Sequence, residues 1–202
     1  MTYIFRVFLL LLFITNCVNA QNYSDEINRY RENYIQEFIN DKNSPLKENE
    51  TKYLNFYAPD EQYKVVAAFE LNKEAPVIEM NTSSGKIKRY LLYGSLTFQL
   101  NSTPLTLQIY QSEQLKNKEG FADYLFLPFT DKTNGTETYG GGRYLDFKTG
   151  DINNNQLIID FNKAYNPYCA YTDGYSCPKP PRENALPVSI NAGEKTFGKP
   201  HH

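Results

Sequence analysis

Between residues 63 and 110 the chain alternates apolar and polar side chains with a period of two, the repeat of a strand with one buried face. Tyr63, Val65, Ala67, Phe69 and Leu71 fall on one side of the first stretch, and Lys64, Val66, Ala68 and Glu70 on the other. Pro76–Met80 and Ile87–Tyr93 follow, separated by Asn81-Thr-Ser-Ser-Gly85, and are predicted to pair as a hairpin across that turn. Leu96, Phe98 and Leu100 then alternate with Ser95, Thr97 and Gln99. Asn101-Ser-Thr-Pro104 reverses the chain, and Leu105, Leu107 and Ile109 alternate with Thr106, Gln108 and Tyr110. This second hairpin carries the most regular pattern in the sequence.

After a polar link at Glu113–Gly120, Asp123–Phe129 and Tyr139–Phe147 read as strands around Asn134-Gly135, a pair suited to the positive φ angles of a tight turn. Leu157–Phe161 reads as a short, fully buried strand. Ahead of all of these the period becomes helical: Ile27, Tyr30, Tyr34 and Phe38 share one face of Ser24–Asp41, with Ser24 as cap, Asp25 and Glu26 in the first turn, and Asn43-Ser44-Pro45 as the stop. Strands of this number and spacing predict a mainly β fold, an antiparallel sandwich or open barrel with one leading amphipathic helix and an irregular Pro/Tyr-rich C-terminal segment. A length of 202 residues suits one such domain, spanning residues 21–202.

Residues 1–20 do not belong to that pattern. A single basic residue, Arg6, precedes the apolar run Val7–Ile14, and Val18 and Ala20 stand three and one positions before Gln21. This is the layout of a secretory signal peptide, too short to span a bilayer, and it predicts export to a periplasm or cell envelope. The alternative is a lipid anchor at Cys17, in the setting Ile14-Thr15-Asn16-Cys17. Either route takes Cys17 out of the free thiols and leaves Cys169 and Cys177, a candidate disulfide across a small loop containing Asp173-Gly174. Such a bond constrains the unfolded chain by roughly 2–3 kcal/mol on the loop-entropy account. A metal site using the two thiolates and carboxylates is the competing reading, but the spacing is not that of a zinc knuckle, and no metal or cofactor is expected. With Arg6 removed, 20 basic side chains stand against 23 acidic ones, a net charge of −3, which argues against a nucleic-acid or anionic-membrane partner.

Candidate chemistry is sparse until residue 139. The histidines are at 201 and 202, at the extreme C-terminus, so no nucleophile–histidine system is expected. Asp151, Asn153 and Asn155 resemble the start of a calcium loop, but Gln156 stands where glycine is needed and Asn162 where a bidentate carboxylate is needed. A hairpin turn led by Gly150 accounts for them better. Gly140-Gly-Gly-Arg143 offers either an anion-binding backbone or glycines opening a strand, with Arg143 in a structural ion pair. Asp160, Glu183 and Glu194 are the carboxylates to weigh for paired acid–base work, against the reading that they brace irregular backbone.

Several motifs in this part of the chain resemble a bacterial family catalogued as domain of unknown function 1684. They are Phe129-Thr-Asp-Lys-Thr-Asn-Gly135, Tyr139–Tyr144, Asp160-Phe-Asn162, Ala164-Tyr-Asn-Pro-Tyr-Cys-Ala-Tyr171, Cys177-Pro-Lys-Pro-Pro-Arg-Glu-Asn184 and Ile190-Asn-Ala-Gly-Glu-Lys195. The resemblance covers essentially the chain after the leader and implies a fold and a place to look for a site, but no activity. It raises the expectation that Arg143, Asp160, Asn162, Tyr165, Asn166, Glu183, Asn184 and Glu194 face one another. The leading expectation is an exported β-rich protein whose C-terminal segment closes one end of the sheet around a polar, tyrosine-lined pocket for a small molecule or carbohydrate. A carboxylate-dependent, glycosidase-like hydrolase and a purely structural envelope module are the alternatives.

Overall fold

The computed structural model describes the backbone of residues 2–199 and the side chains of residues 21–199. The side chains of the expected leader, Cys17 among them, and the terminal histidines therefore lie outside the described residues.

One helix, α1 (Thr2–Asn40), precedes seven strands: β1 (Lys64–Leu71), β2 (Val77–Asn81), β3 (Ile87–Leu100), β4 (Thr103–Ser112), β5 (Tyr124–Phe129), β6 (Arg143–Lys148) and β7 (Gln156–Asp160). All pairings between strands are antiparallel, in the order β6-β5-β4-β3-β1-β7 with β2 also on β3, and the sheet curls into a half-barrel. Of the two predicted architectures, the open barrel is the one formed. The strand path ends at β6 and β7, and beyond β7 the chain makes one isolated antiparallel bridge to β6, Tyr165 to Tyr144, with N–H to O=C distances of 2.9 and 3.1 Å.

The regular hairpin pairs Leu96 with Leu107 and Phe98 with Leu105. Its turn is tighter than expected: Asn101 and Ser102 alone take positive φ (49° and 64°), while Thr103 and Pro104 already belong to β4. The apolar side chains of this hairpin join Ala67, Leu125, Leu127, Leu145, Leu157 and Ile159 in the core enclosed by the curl. A second layer covers the outer face, where Met80, Tyr90, Tyr110, Phe126 and Tyr144 pack together.

The long strand β3 serves both layers through a bulge. The register shifts between Leu92 and Gly94, so the even positions Tyr90 and Leu92 join the outer layer whereas Leu96, Phe98 and Leu100 join the core. Glycine is required at the crossing, because a Cβ on Gly94 would lie 2.5 Å from the Glu70 carbonyl oxygen.

Four local expectations are corrected. The strand at residues 157–161 is not fully buried, since Ile158 is 54% exposed; like its neighbour β1, where Val66 is 57% exposed, β7 has one face on the core and the other toward solvent. Ser24 lies inside α1 and does not cap it, because the helix continues upstream. The turn before β7 is made by Asn154 and Asn155, both at positive φ, and is not led by Gly150. Between β5 and β6 only Gly135 of the Asn134-Gly135 pair has positive φ. Asn134 instead braces a longer loop, its side chain accepting from Asp131 N–H at 2.6 Å and donating to the Tyr139 carbonyl at 2.7 Å.

From Phe161 onward the chain crosses the barrel in short 3₁₀ turns, and Phe161, Leu186, Ile190 and Ala192 contribute to the core. Isolated backbone hydrogen bonds fasten this strap, among them Leu186 N–H to Thr130 O (2.8 Å), Lys132 N–H to Val188 O (3.0 Å) and Tyr57 N–H to Gly193 O (3.0 Å). Cys169 and Cys177 lie within it at disulfide distance, with Cα atoms 6.3 Å apart.

Candidate functional site

Most of the polar residues singled out in the sequence are internal braces. Arg143 is fully buried, and its guanidinium donates to Asp131 Oδ2 (2.8 Å) and to the carbonyls of Ile190 (2.9 Å), Ala192 and Glu194 (3.3 Å). Its Nε is left without a partner among the described residues. Asp131 in turn accepts from the backbone N–H groups of Thr133 (2.8 Å) and Ile190 (3.2 Å). The ion pair thus ties β6 to the loop before it and to the strap, and no anion can reach it.

Asn184 is also fully buried, and its amide stands in for a missing strand neighbour. It accepts from Gln108 N–H (2.7 Å) and donates to the carbonyls of Gln108 (2.8 Å) and Pro128 (2.7 Å), where β4 and β5 have splayed apart. Asp160 and Asn162 form a third node. Asn162 Nδ2 donates to the Tyr23 hydroxyl (2.8 Å) and the Asp60 carbonyl (2.8 Å), and the Tyr23 hydroxyl donates to Asp160 Oδ1 (2.9 Å), which docks α1 onto the end of β7. Asn166 and Glu194 form the fourth: the buried Glu194 carboxyl accepts from Asn166 N–H (2.9 Å), the Tyr171 hydroxyl (2.8 Å) and the Tyr34 hydroxyl (3.2 Å). Burial pushes this carboxyl up to about 7, and the hydrogen bonds it accepts hold it from rising further.

Asp160 is hydrogen-bonded to Asn162 and Glu194 to Asn166, but the eight residues do not surround one cavity. Glu183 is exposed on a 3₁₀ turn, and Asp160, Glu183 and Glu194 do not share a cleft.

A cavity of about 580 Å³ lies on the outer face. Its floor is built by the outward positions of three strands: Tyr90 of β3, Tyr124 and Phe126 of β5, and Tyr144 and Asp146 of β6. Tyr30 and Tyr34 of α1 form one wall, and the strap supplies Tyr165, Tyr168 and Tyr175. The rings hold one another at set angles, Tyr90 stacked on Phe126 (5.5 Å between centroids), Phe126 edge-on to Tyr144 (4.7 Å) and Tyr144 edge-on to Tyr165 (5.8 Å).

Asp146 stands in the middle of this arrangement. Tyr124 donates its hydroxyl to Oδ1 at 2.7 Å and Tyr165 donates to Oδ2 at 2.8 Å. The carboxylate is nonetheless solvent-exposed, because it borders both this cavity and a second one of about 510 Å³, which is lined by β6 and β7 along the open seam. The protein packed around it raises its pKa above the ordinary aspartate value, and the hydrogen bonds from the two phenols pull the other way. Of the eight residues singled out in the sequence, Tyr165 lines this cavity. Asp146, Tyr90 and Tyr124 were missed, since a strand position that alternates with core residues reads as solvated when nothing indicates a second layer over that face. The signal available was the aromatic bulk of the outward positions Tyr124, Phe126 and Tyr144. Among the described residues no group of three or more His, Cys, Asp or Glu side chains is placed to hold a metal ion.

The model of a family described as a protein of unknown function, DUF1684, matches residues 50–195. The chain belongs to that family. The matched segment holds the whole sheet, the strap and Asp146, and leaves out the α1 wall of the cavity. Among solved structures the chain is similar to the solution NMR structure of an uncharacterized protein from gene locus rrnAC0354 of Haloarcula marismortui. The two are 30% identical with a TM-score of 0.67, over 88% of this chain and 96% of that one. That relative comes from an archaeon, so the fold is not restricted to bacteria. A search of curated proteins found no match.

Proposed function

We propose that this chain is an exported binding protein that takes a small organic molecule into the aromatic cavity on the outer face of its half-barrel. The observation that supports this reading best is the exposed Asp146 carboxylate, held by two phenols at the floor of a cavity of about 580 Å³, a volume suited to a small ligand. A module with a purely structural role has no use for an open, ring-lined hollow beside a carboxylate. Paired-carboxylate hydrolysis gains no support from carboxylates that lie in separate places. Export rests on the leader pattern of residues 1–20, and the disulfide-distance pair Cys169–Cys177 suits an oxidising compartment. Among the described residues no helix is long and apolar enough to cross a membrane.

The test is thermal unfolding of the purified protein against a panel of sugars, amines, amino acids and phosphorylated metabolites, repeated on Leu115→Trp. Leu115 is half-buried at the cavity lining, on the turn after β4, so an indole there narrows the cavity without entering the core. A compound that raises the midpoint of the parent protein and not of Leu115→Trp supports the reading. A panel without effect, or a shift that survives the substitution unchanged, overturns it.

A further inference from the structure

The hydrogen-bonding capacity of the cavity points to the class of its ligand, an inference that rests on the binding function just proposed. Eight tyrosines line the cavity, and six of their hydroxyls already donate inside the protein. Tyr124 and Tyr165 donate to Asp146, Tyr144 to the Pro178 carbonyl, Tyr175 to the Asn43 carbonyl (3.1 Å), Tyr30 to the Lys163 carbonyl (3.4 Å), and Tyr34 into the Tyr171–Glu194 cluster. A phenol has one proton to give, so these six offer a ligand only oxygen lone pairs and ring faces. The Ser176 hydroxyl is likewise committed, donating to Thr82 Oγ1 at 2.9 Å. The donors that remain are the hydroxyls of Tyr90 and Tyr168, which have no partner among the described residues, and Lys88.

Acceptors are plentiful by comparison. Each Asp146 oxygen takes one phenol and keeps lone-pair capacity for a second donor. Glu37 and Asp41 also line the cavity, so three carboxylates face one lysine. The aromatic walls add to the same preference, because a cation is drawn to the negative face of a ring, and a phenol that donates to a carboxylate has the more electron-rich ring. A phosphate, a carboxylate or another acceptor-rich ligand would meet like charge and few donors.

We propose that the cavity selects an organic ammonium ion, a primary or quaternary amine on a small body, with Asp146 as its counter-ion and the tyrosine and phenylalanine rings as its walls. A primary ammonium donates to Asp146 directly, and a quaternary one sits against the rings with the carboxylate as its nearest anion. Selection against a neutral molecule of the same shape then comes from charge and ring faces together.

Calorimetric titrations of the purified protein with choline, butylamine, 3,3-dimethylbutan-1-ol (the uncharged isostere of choline) and maltose separate this inference from the function beneath it. The expected result is that choline or butylamine binds at least about tenfold more tightly than the uncharged isostere, and weakens at least about tenfold in Asp146→Asn. Added salt should weaken it further. Lys88→Glu, an exposed change that leaves the floor intact, should tighten cation binding a few-fold and leave a neutral probe unaffected. Maltose or the isostere binding as well as the cations, or cation binding that persists in Asp146→Asn, overturns the ammonium assignment while leaving a binding cavity in place. No binding by any of the four probes, in a protein whose Asp146→Asn and Lys88→Glu forms unfold cooperatively like the parent, overturns the ammonium assignment, and an empty result in the wider panel removes the binding function with it.

Discussion

Two charged side chains on β6, three residues apart, have opposite fates. Arg143 points into the half-barrel, is fully buried, and gives its protons to Asp131 and to carbonyls of the strap. Asp146 points to the outer face, is exposed, and holds two phenols while keeping acceptor capacity. Alternation along one strand has placed a structural charge on one side and an available one on the other. The distinction lies in what is left over: a buried charge with its partners in place is architecture, and a carboxylate with unused capacity beside a hollow is a place for something else to bind.

The sharpest attempt to break this contrast removes the inner charge. Arg143→Met leaves Asp131 buried without its counter-ion and should cost about 3–5 kcal/mol in urea denaturation. A loss below about 1 kcal/mol would mean that the ion pair is no keystone and that Arg143 deserves a functional role after all.

Glu194 sits between the two cases, buried like Arg143 but bonded to the Tyr34 hydroxyl of the cavity wall. Its carboxyl titrates near 7 in the fold against an ordinary value of 4.5, so the native state holds the proton more tightly than the unfolded chain does. That stabilisation is complete below about pH 4.5 and is lost as the pH rises through about 7. Between pH 4 and 8 the parent protein should therefore lose about 3 kcal/mol more than Glu194→Gln, read from denaturation midpoints across the range. A parent that gains stability relative to Glu194→Gln over that interval would reverse the assignment.

Asn184→Ala comes next. It deprives the Gln108 backbone and the Pro128 carbonyl of their partners and should cost about 2 kcal/mol, with hydrogen exchange at Gln108 accelerated. The smallest expected effect belongs to Asp146→Asn, under about 1 kcal/mol by the same denaturation assay, because the group is solvated and its phenol partners can turn to water. A large loss there would erase the contrast by making Asp146 a brace as well.

The legibility of the chain divides along the same line. The strand hairpins could be read because side-chain alternation is a local property, and Leu96, Phe98, Leu105 and Leu107 carry it without interruption. The merging of residues 87–93 with 96–100 into one strand could not, since the bulge at Tyr93 depends on Phe69 and Glu70 of a neighbouring strand packing against Gly94. Polar residues in irregular sequence drew attention as a site, and Asn162, Asn184 and Arg143 turned out to satisfy backbone that has no ladder of its own. A strap without strands needs side chains to hydrogen-bond it, so the density of motifs there measured architecture. Asp146 carried no local mark, because what distinguishes it is the arrival of Tyr165, 19 residues later, and of helix α1 from the far end of the chain.

The position of the strap also sets an order of assembly. Ile190, Ala192 and Glu194 supply three of the four acceptors around the Arg143 guanidinium. A nascent chain that has emerged only as far as β7 carries every strand of the sheet, yet a buried cation with one partner. The half-barrel therefore gains its full stability only when residues 190–194 have been laid across it, so closure of the strap is the last step in burying the Arg143 charge.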